Sequence, residues 1–306
     1  MTSLTQDAVP LTEGVKPRSR SLLWDGAEFV RDFLNTATGR LVLFLIVAFG
    51  FCFWPLLHQL PKYWFDGDSY FTHGVLVPFL VIYILYEYRE KIASTPVKPF
   101  LPAALPLAFF LYIAFIAART EMTGPLTYDL ILCIFLAALT IGGWKMTGAL
   151  APALLFSGFA LPFGQGFLDQ ITYKFQGFST DVCYELLKLF HVGSAVRTDP
   201  NQIIVGNYDL YVAGACSGLK LTISVTAFVA LFIIVGRLRW WANLILVATI
   251  LPLCILINGI RIAMIGAVGC YWGEHNAAIF HDWSGYISIL LCFFLLMKLT
   301  RTLGWN

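Results

Sequence analysis

Apolar runs separated by short polar joints dominate the chain, at about 41–60, 72–88, 100–118, 126–144, 147–163, 212–235, 242–270 and 282–299. A helix needs ~20 mainly apolar residues to cross a bilayer, so the pattern predicts an all-α polytopic membrane protein with about eight transmembrane helices. The second and fifth runs are the shortest. Between the fifth and sixth runs the pattern changes. Residues 165–190 mix apolar and polar positions at a helical period, which predicts a helix lying along the membrane interface. The run Gln202-Ile203-Ile204-Val205, then Gly206-Asn207, then Tyr208 to Val212 reads as a small β-hairpin. Ahead of the first run, residues 1–40 carry Lys16, Arg18, Arg20, Arg31 and Arg40, with Leu23, Ala27, Val30 and Leu34 at helical spacing. They are expected to form a cytoplasmic tail with an interfacial helix, and residues 41–306 the transmembrane domain. No short apolar segment precedes Leu41, so the first span is expected to serve as the insertion signal.

Composition strengthens the membrane reading. Hydrophobic residues make up 58% of the chain and charged residues 12%, with mean hydropathy +0.75, more apolar surface than a soluble domain of this length buries. The net charge of +2 is small and its basic residues are dispersed, so no nucleic-acid partner is expected. Placing both termini in the cytoplasm puts 13 of the 20 basic residues inside, as the positive-inside rule requires. The same orientation puts His58, His73, His191, His275 and His281 on the outer side. Seven cysteines show no CxxC or metal-ligand spacing, and no metal or cofactor is expected. Cys183 and Cys270 both fall outside, where a disulfide is chemically allowed.

The candidate chemistry gathers at the outer ends of three runs. Cys216 stands where the hairpin meets the sixth run, in Ala215-Cys216-Ser217-Gly218-Leu219. In the seventh run Asn258 and Arg261 are three residues apart, on one helix face. They lie about 19 residues, hence ~29 Å, beyond its cytoplasmic start. His281 opens the eighth run. A thiol becomes a nucleophile when a base takes its proton or a cation stabilises the thiolate. His281 is the candidate base and later the acid. Arg261 is open between stabilising the thiolate and stabilising the oxyanion of a tetrahedral intermediate, with Asn258 orienting it or adding a donor. Lys220, four residues after Cys216, could act on the thiol or on a lipid headgroup. His73 is either an interfacial residue or a partner standing behind the site. Asp282 is given no part, because adjacent helical residues point about 100° apart.

These blocks carry a resemblance. Ala215-Cys216-Ser217-Gly218-Leu219, Asn258-Gly259-Ile260-Arg261-Ile262 and His281 with Gly285, in this order and each at the outer end of an apolar helix, resemble the exosortase/archaeosortase family. The stretch from Thr72-His73-Gly74-Val75 to Pro78 resembles that family's early His-Gly segment. The resemblance runs from about residue 41 to the C-terminus, and His281 in place of a second arginine puts the chain nearer the exosortases. It implies a membrane-embedded cysteine transpeptidase of the cell inner membrane, with Cys216, Arg261 and His281 catalytic on the periplasmic side. The implied partners are membrane lipids and exported proteins bearing a C-terminal motif such as Pro-Glu-Pro, a transmembrane helix and a basic cluster. By the same resemblance Cys216 holds the cleaved protein as a thioester until an acceptor resolves it. Lys220, where relatives often carry arginine, departs slightly from the pattern.

Two other classes fit the sequence less well. A transporter or polysaccharide-export component would fit the span count, yet the sequence has no internal repeat and no matched pair of Gly/Pro-broken helices. A metal site from His73, His191, His275 and His281 lacks local ligand spacing.

Overall fold

The computed structural model describes residues 35–67 and 69–305; the tail expected over 1–40, with its interfacial helix, lies almost wholly outside them. Among the described residues nine α-helices occur in chain order: α1 (Ala37–Phe65), α2 (Val77–Glu87), α3 (Arg89–Ser94), α4 (Ala104–Arg119), α5 (Thr123–Ser157), α6 (Gln165–Leu189), α7 (Leu219–Gly236), α8 (Trp240–Trp272) and α9 (Glu274–Thr302). Three strands, β1 (Ala195–Asp199), β2 (Gln202–Val205) and β3 (Tyr208–Tyr211), stand between α6 and α7.

Six helices are long and apolar enough to cross a membrane, in Gly39–Phe65, Leu101–Arg119, Thr123–Ala160, Leu219–Gly236, Trp240–Trp272 and Glu274–Thr302. The chain is a mostly helical, multi-pass membrane protein. The difference from eight apolar runs has two sources. The run at 72–88 is divided into a 3-10 turn, Thr72–Val75, and the 11-residue α2, about 17 Å long at 1.5 Å per residue. The fourth and fifth runs share the 35-residue α5. That helix is interrupted at Gly143, whose φ of 72° and ψ of −179° are not helical and are open essentially to glycine alone. Here the chain before α4 crosses the helix. Lys98 N–H donates to the Gly142 carbonyl and Phe100 N–H to the Thr140 carbonyl, both at 3.2 Å. A Cβ on residue 143 would sit 1.9 Å from the Lys98 carbonyl oxygen, so the interruption and the crossing segment require each other.

Residues 48–306 pack as one unit, and α8 is its axis, in contact with α6, α7 and α9. Two buried cores share it. Toward its start, Leu246, Ile250, Cys254 and Ile257 pack with Leu221, Val225, Val229 and Phe232 of α7 and with Cys292 and Leu296 of α9. Toward its end, Ile262, Ala263 and Ile265 pack with Cys183 and Leu187 of α6, Ala277 of α9 and Ile203, Val205, Leu210 and Val212 of the strand region. With 33 residues, α8 is about 50 Å long, enough to exceed a ~30 Å hydrocarbon core and still carry the second cluster. Asn258 and Arg261 fall at the seam between the two.

The hairpin expected from the sequence is present as β2 and β3, with Val205 paired to Tyr208 and Gln202 to Tyr211. The structure adds β1, antiparallel to β2 in the order β1-β2-β3. Its Val196 side is largely exposed, so the strand has no apolar alternation by which a sequence pattern would reveal it. Residues 165–190 do form a helix, α6. Its buried stripe is Thr172, Gln176, Ser179, Thr180, Cys183 and Leu187, polar in its first half and apolar in its second, while Phe167, Tyr173 and Phe178 face outward.

Candidate active site

Cys216 closes a 3-10 turn, Gly214–Cys216, between β3 and α7. Its own N–H donates to the Ala213 carbonyl at 2.9 Å, and the next residue, Ser217, accepts the Leu219 N–H on its Oγ at 3.2 Å. A hydroxyl two residues before the bonded amide takes up one of the free donors that every helix start leaves. Gly218 sits between them with φ of 85°, and a Cβ there would come within 2.8 Å of Asn258 Nδ2. Glycine thus serves twice, by allowing the left-handed backbone and by letting α8 approach.

Asn258 uses that approach. Its Nδ2 donates to the Cys216 carbonyl at 2.9 Å and to Ser179 Oγ at 3.0 Å, and Ser179 Oγ donates in turn to the Ser217 carbonyl at 3.1 Å. Asn258 and Ser179 are both fully enclosed, so the backbone of the cysteine turn is tied to α6 and α8 by satisfied buried groups. One helix turn earlier, Gln176 Nε2 donates to the Val212 carbonyl at 3.0 Å. Replacing Asn258 by Asp keeps the shape and removes both donors, setting a carboxylate against a carbonyl. Asn258→Asp is expected to destabilise the protein by about 2 kcal/mol and to slow alkylation of Cys216, measured by thermal unfolding in detergent and by iodoacetamide labelling.

The thiol faces α9. Cys216 Sγ lies 2.8 Å from His281 Nε2. On the other side of the ring, Nδ1 lies 3.3 Å from Asp282 Oδ1. An Nδ1–H donated to that carboxylate leaves the Nε2 lone pair toward the thiol. The geometry gives Asp282 a place that spacing along the helix did not suggest, although its side chain is 80% exposed and such a pair contributes little energy. Arg261 holds the same turn of α9: Nε donates to Ser284 Oγ at 2.9 Å and Nη2 to the His281 carbonyl at 3.2 Å. Ser284 Oγ also donates to that carbonyl, at 3.0 Å. Four residues from α7's approach, α8 and α9 are therefore knitted into one cluster of Cys216, Asn258, Arg261 and His281.

A search of protein families matches residues 64–298 to the transmembrane exosortases. The chain belongs to this family. No curated protein and no solved structure gives a match. The segment shared with the exosortases contains the whole cluster just described, together with Lys220 and His73.

Those last two stand apart from the thiol. Lys220 Nζ reaches the Gly67 carbonyl at 2.8 Å, tying the start of α7 to the loop after α1. His73, in the turn ahead of α2, faces an apolar cavity with Phe71, Phe159 and Ile223. Its ring stands beside the Phe159 and Tyr70 carbonyls. Cys183 and Cys270 are free thiols. Burial pushes Cys183 up to about 12, while Cys270 Sγ lies against Gly193 and Gly206 at the base of the sheet.

Sequence reasoning missed Ser179, Gln176 and Ser284. Ser284 was within reach, being three residues after His281 and so on the same face of α9. Ser179 and Gln176 carry a subtler signal: a polar stripe on the side of an amphipathic helix that the apolar positions Cys183 and Leu187 mark as buried.

Proposed function

We propose that the protein is a membrane-embedded cysteine peptidase and transpeptidase, in which Cys216 is the nucleophile, His281 the general base and acid, and Arg261 the oxyanion donor. The observation that carries this reading is the 2.8 Å contact between Cys216 Sγ and His281 Nε2, within hydrogen-bond reach for proton transfer. The thiol proton passes to Nε2 as sulfur attacks a backbone carbonyl carbon. The developing charge falls to Arg261, whose Nε and Nη2 are already engaged by α9, which leaves Nη1 to point at an oxyanion. Collapse breaks the C–N bond, and the imidazolium returns its proton to the leaving amine. The acyl group remains on Cys216 as a thioester. An acceptor nucleophile, or water, then attacks the thioester carbonyl and gives its proton to His281; the C–S bond breaks, and the imidazolium returns that proton to the Cys216 thiolate.

The substrate class proposed is that of the family resemblance: exported proteins with a C-terminal motif, a transmembrane helix and a basic cluster. A site at the seam between a membrane core and a strand-capped core suits a scissile bond just outside a membrane helix. We place it on the periplasmic face of the inner membrane with both chain termini in the cytoplasm, because that orientation satisfies the distribution of Lys and Arg.

Eight passes fit this arrangement better than six. Trp64 Nε1, at the end of α1, donates to the Ala160 carbonyl at 2.8 Å, so the part of α5 after Gly143 ends level with the end of α1. The segment through α2 runs beside α7 over the same length, tied to it by Lys220 and Gly67 at one end and by Tyr88 Oη donating to the Ile234 carbonyl, 3.1 Å, at the other. The two halves of α5 and the α2 segment are then each a pass, as the eight apolar runs require.

Single-turnover reaction with a tailed substrate tests the chemistry. When acceptor is omitted, released C-terminal peptide and a hydroxylamine-sensitive adduct on Cys216 are expected to appear together in equal amounts at the earliest times, the adduct then decaying by hydrolysis. Cleavage with no adduct at any time would rule out the covalent route.

A further inference from the structure

The three-stranded sheet has two outer edges, and they are finished differently. On β1 the register shifts between Arg197 and Asp199. The Arg197 side chain turns back over that end, with Nε donating to the Asp199 carbonyl at 3.3 Å and Nη2 to the Pro200 carbonyl at 2.7 Å. Bulges and charged side chains are the usual means of keeping an edge strand from pairing with another chain. β3 has no such protection. Its register with β2 runs without a shift from Tyr208 to Tyr211. Its one charged side chain, Asp209, is drawn across the sheet by Gln202 Nε2, 2.8 Å from both carboxylate oxygens.

The register fixes which backbone groups this edge presents. Val212 N–H donates to the Asn201 carbonyl at 2.9 Å, one step beyond the Gln202–Tyr211 pair, and bonded residues alternate along an antiparallel ladder. Val212, Leu210 and Tyr208 therefore turn their N–H and C=O groups toward β2, and Asp209 and Tyr211 turn theirs away. Neither makes a backbone hydrogen bond beyond the sheet with any described residue, and both residues are exposed.

That edge leads to the thiol. From Tyr211 the chain passes through the extended Ala213 into the turn that Cys216 closes. The path is at most ~13 Å, at about 3.3 Å per extended residue and about 2 Å per 3-10 residue. Tyr208, Leu210 and Cys216 share one packed cluster with Ala277 and Phe280 of α9, so the strand and the His281 end of α9 border the same site. We infer that the outer edge of β3 is the substrate-binding edge of the thiol site. An extended stretch of the polypeptide, within about four residues of the scissile bond at that spacing, adds to the sheet as a fourth strand on the backbone of Asp209 and Tyr211.

The inference rests on the proposed peptidase reading for the identity of the polypeptide. An N–H and a C=O on every second residue are the complement of an extended main chain, which supplies the same pair at the same spacing. The continuity of this edge with the cysteine turn favours the substrate over a second copy of the chain. Main-chain pairing sets the distance from the edge to the attacked carbonyl, and alternate substrate side chains then lie beside Tyr211 on the open face of the sheet.

Two measurements test the edge. First, amide-to-ester replacement is walked along the residues around the mapped cleavage position of a semi-synthetic tailed substrate, and binding to the Cys216→Ala chain in detergent micelles is followed by fluorescence anisotropy. Each ester removes one N–H donor. A loss of affinity of about three- to tenfold at every second residue of one stretch, the scale of a single main-chain bond, with little change at the residues between, is expected for either strand direction. Losses without that alternation, or no saturable binding of a substrate that the native chain cleaves, overturn the proposal. Second, Tyr211→Pro removes the outward N–H and leaves the ladder to β2 in place. Against Tyr211→Ala, which loses the ring alone, it is expected to bind the substrate more weakly by the same factor while iodoacetamide labels Cys216 at an unchanged rate. Equal affinity of the two variants overturns the proposal, as does a proline variant that turns a dimer into a monomer with substrate affinity unchanged, which would assign the edge to a second copy. If the proline disturbs the turn, seen as altered labelling, the ester scan decides alone. Binding is read on a chain without its thiol, so failure of the peptidase reading, seen as cleavage by Cys216→Ala, is distinguishable from failure of the edge.

Discussion

Cys216→Ala is expected to abolish processing of a tailed substrate, with a fall on the order of 10⁴-fold or more, the scale on which removing a nucleophile acts in hydrolases. The fold should survive the change. Cys216 is only half-buried, its backbone bonds to Ala213 and Asn258 do not involve the side chain, and the loss of one thiol contact costs about 1 kcal/mol or less. A thermal midpoint in detergent close to that of the native chain, together with an uncleaved substrate on a gel, is the expected pair of results. Normal cleavage by the alanine variant would remove the nucleophile from the mechanism. Six other cysteines remain in the chain, so a membrane-impermeant maleimide applied from outside to intact cells adds a second reading. Because Cys270 is a second free and only partly buried thiol, the comparison is made in a Cys270→Ser background, where the reagent should label the chain that keeps Cys216 and not the Cys216→Ala variant if the thiol faces the periplasm.

Arg261→Lys is expected to lower the rate of acylation by about 10²- to 10³-fold, the loss typical of one oxyanion donor. Lysine keeps the charge and loses the planar fork by which Arg261 reaches Ser284 Oγ and the His281 carbonyl together. The substitution therefore separates the two roles left open by the sequence. If the arginine acts as oxyanion donor, alkylation of Cys216 by iodoacetamide should stay within about threefold of the native rate while peptide cleavage collapses. If its part is to stabilise the thiolate by charge alone, lysine would preserve both, and the oxyanion assignment would be withdrawn.

How much of this was legible in the chain differs from part to part. The membrane class, the hairpin and the four residues of the thiol cluster could be read because each left a mark: a long apolar run, a turn dipeptide, or a polar residue in costly surroundings. The helix count was blurred by Gly143. The apolar runs 126–144 and 147–163 already part close to this point, but a glycine by itself reads as a modest weakness in a helix, and the crossing of Lys98 shows where and why the chain is interrupted. The bonds of Ser179 and Ser284 were hidden for another reason. Serine is common and uncharged, so the spacing that sets Ser284 beside His281 and the polar stripe that holds Ser179 mark a face without saying which group each hydroxyl meets, the Arg261 guanidinium for one and the Ser217 carbonyl for the other. His73 stands out in the sequence, but its place against Phe159 and Ile223 is a fact of packing that spacing along the chain does not hold.

The passage of α8 through both buried cores has a mechanical consequence. Asn258 and Arg261 are fixed to a rod whose first half is set by the thickness of the lipid around it, and His281 rides on a second such rod, α9. Adjusting to a thicker or thinner bilayer by tilt, at a modest cost per ångström, rotates these rods relative to the turn that bears the cysteine. Turnover in vesicles of graded acyl-chain length thus becomes a ruler for the site, with its maximum at the thickness for which the thiol and the imidazole stand as they do here.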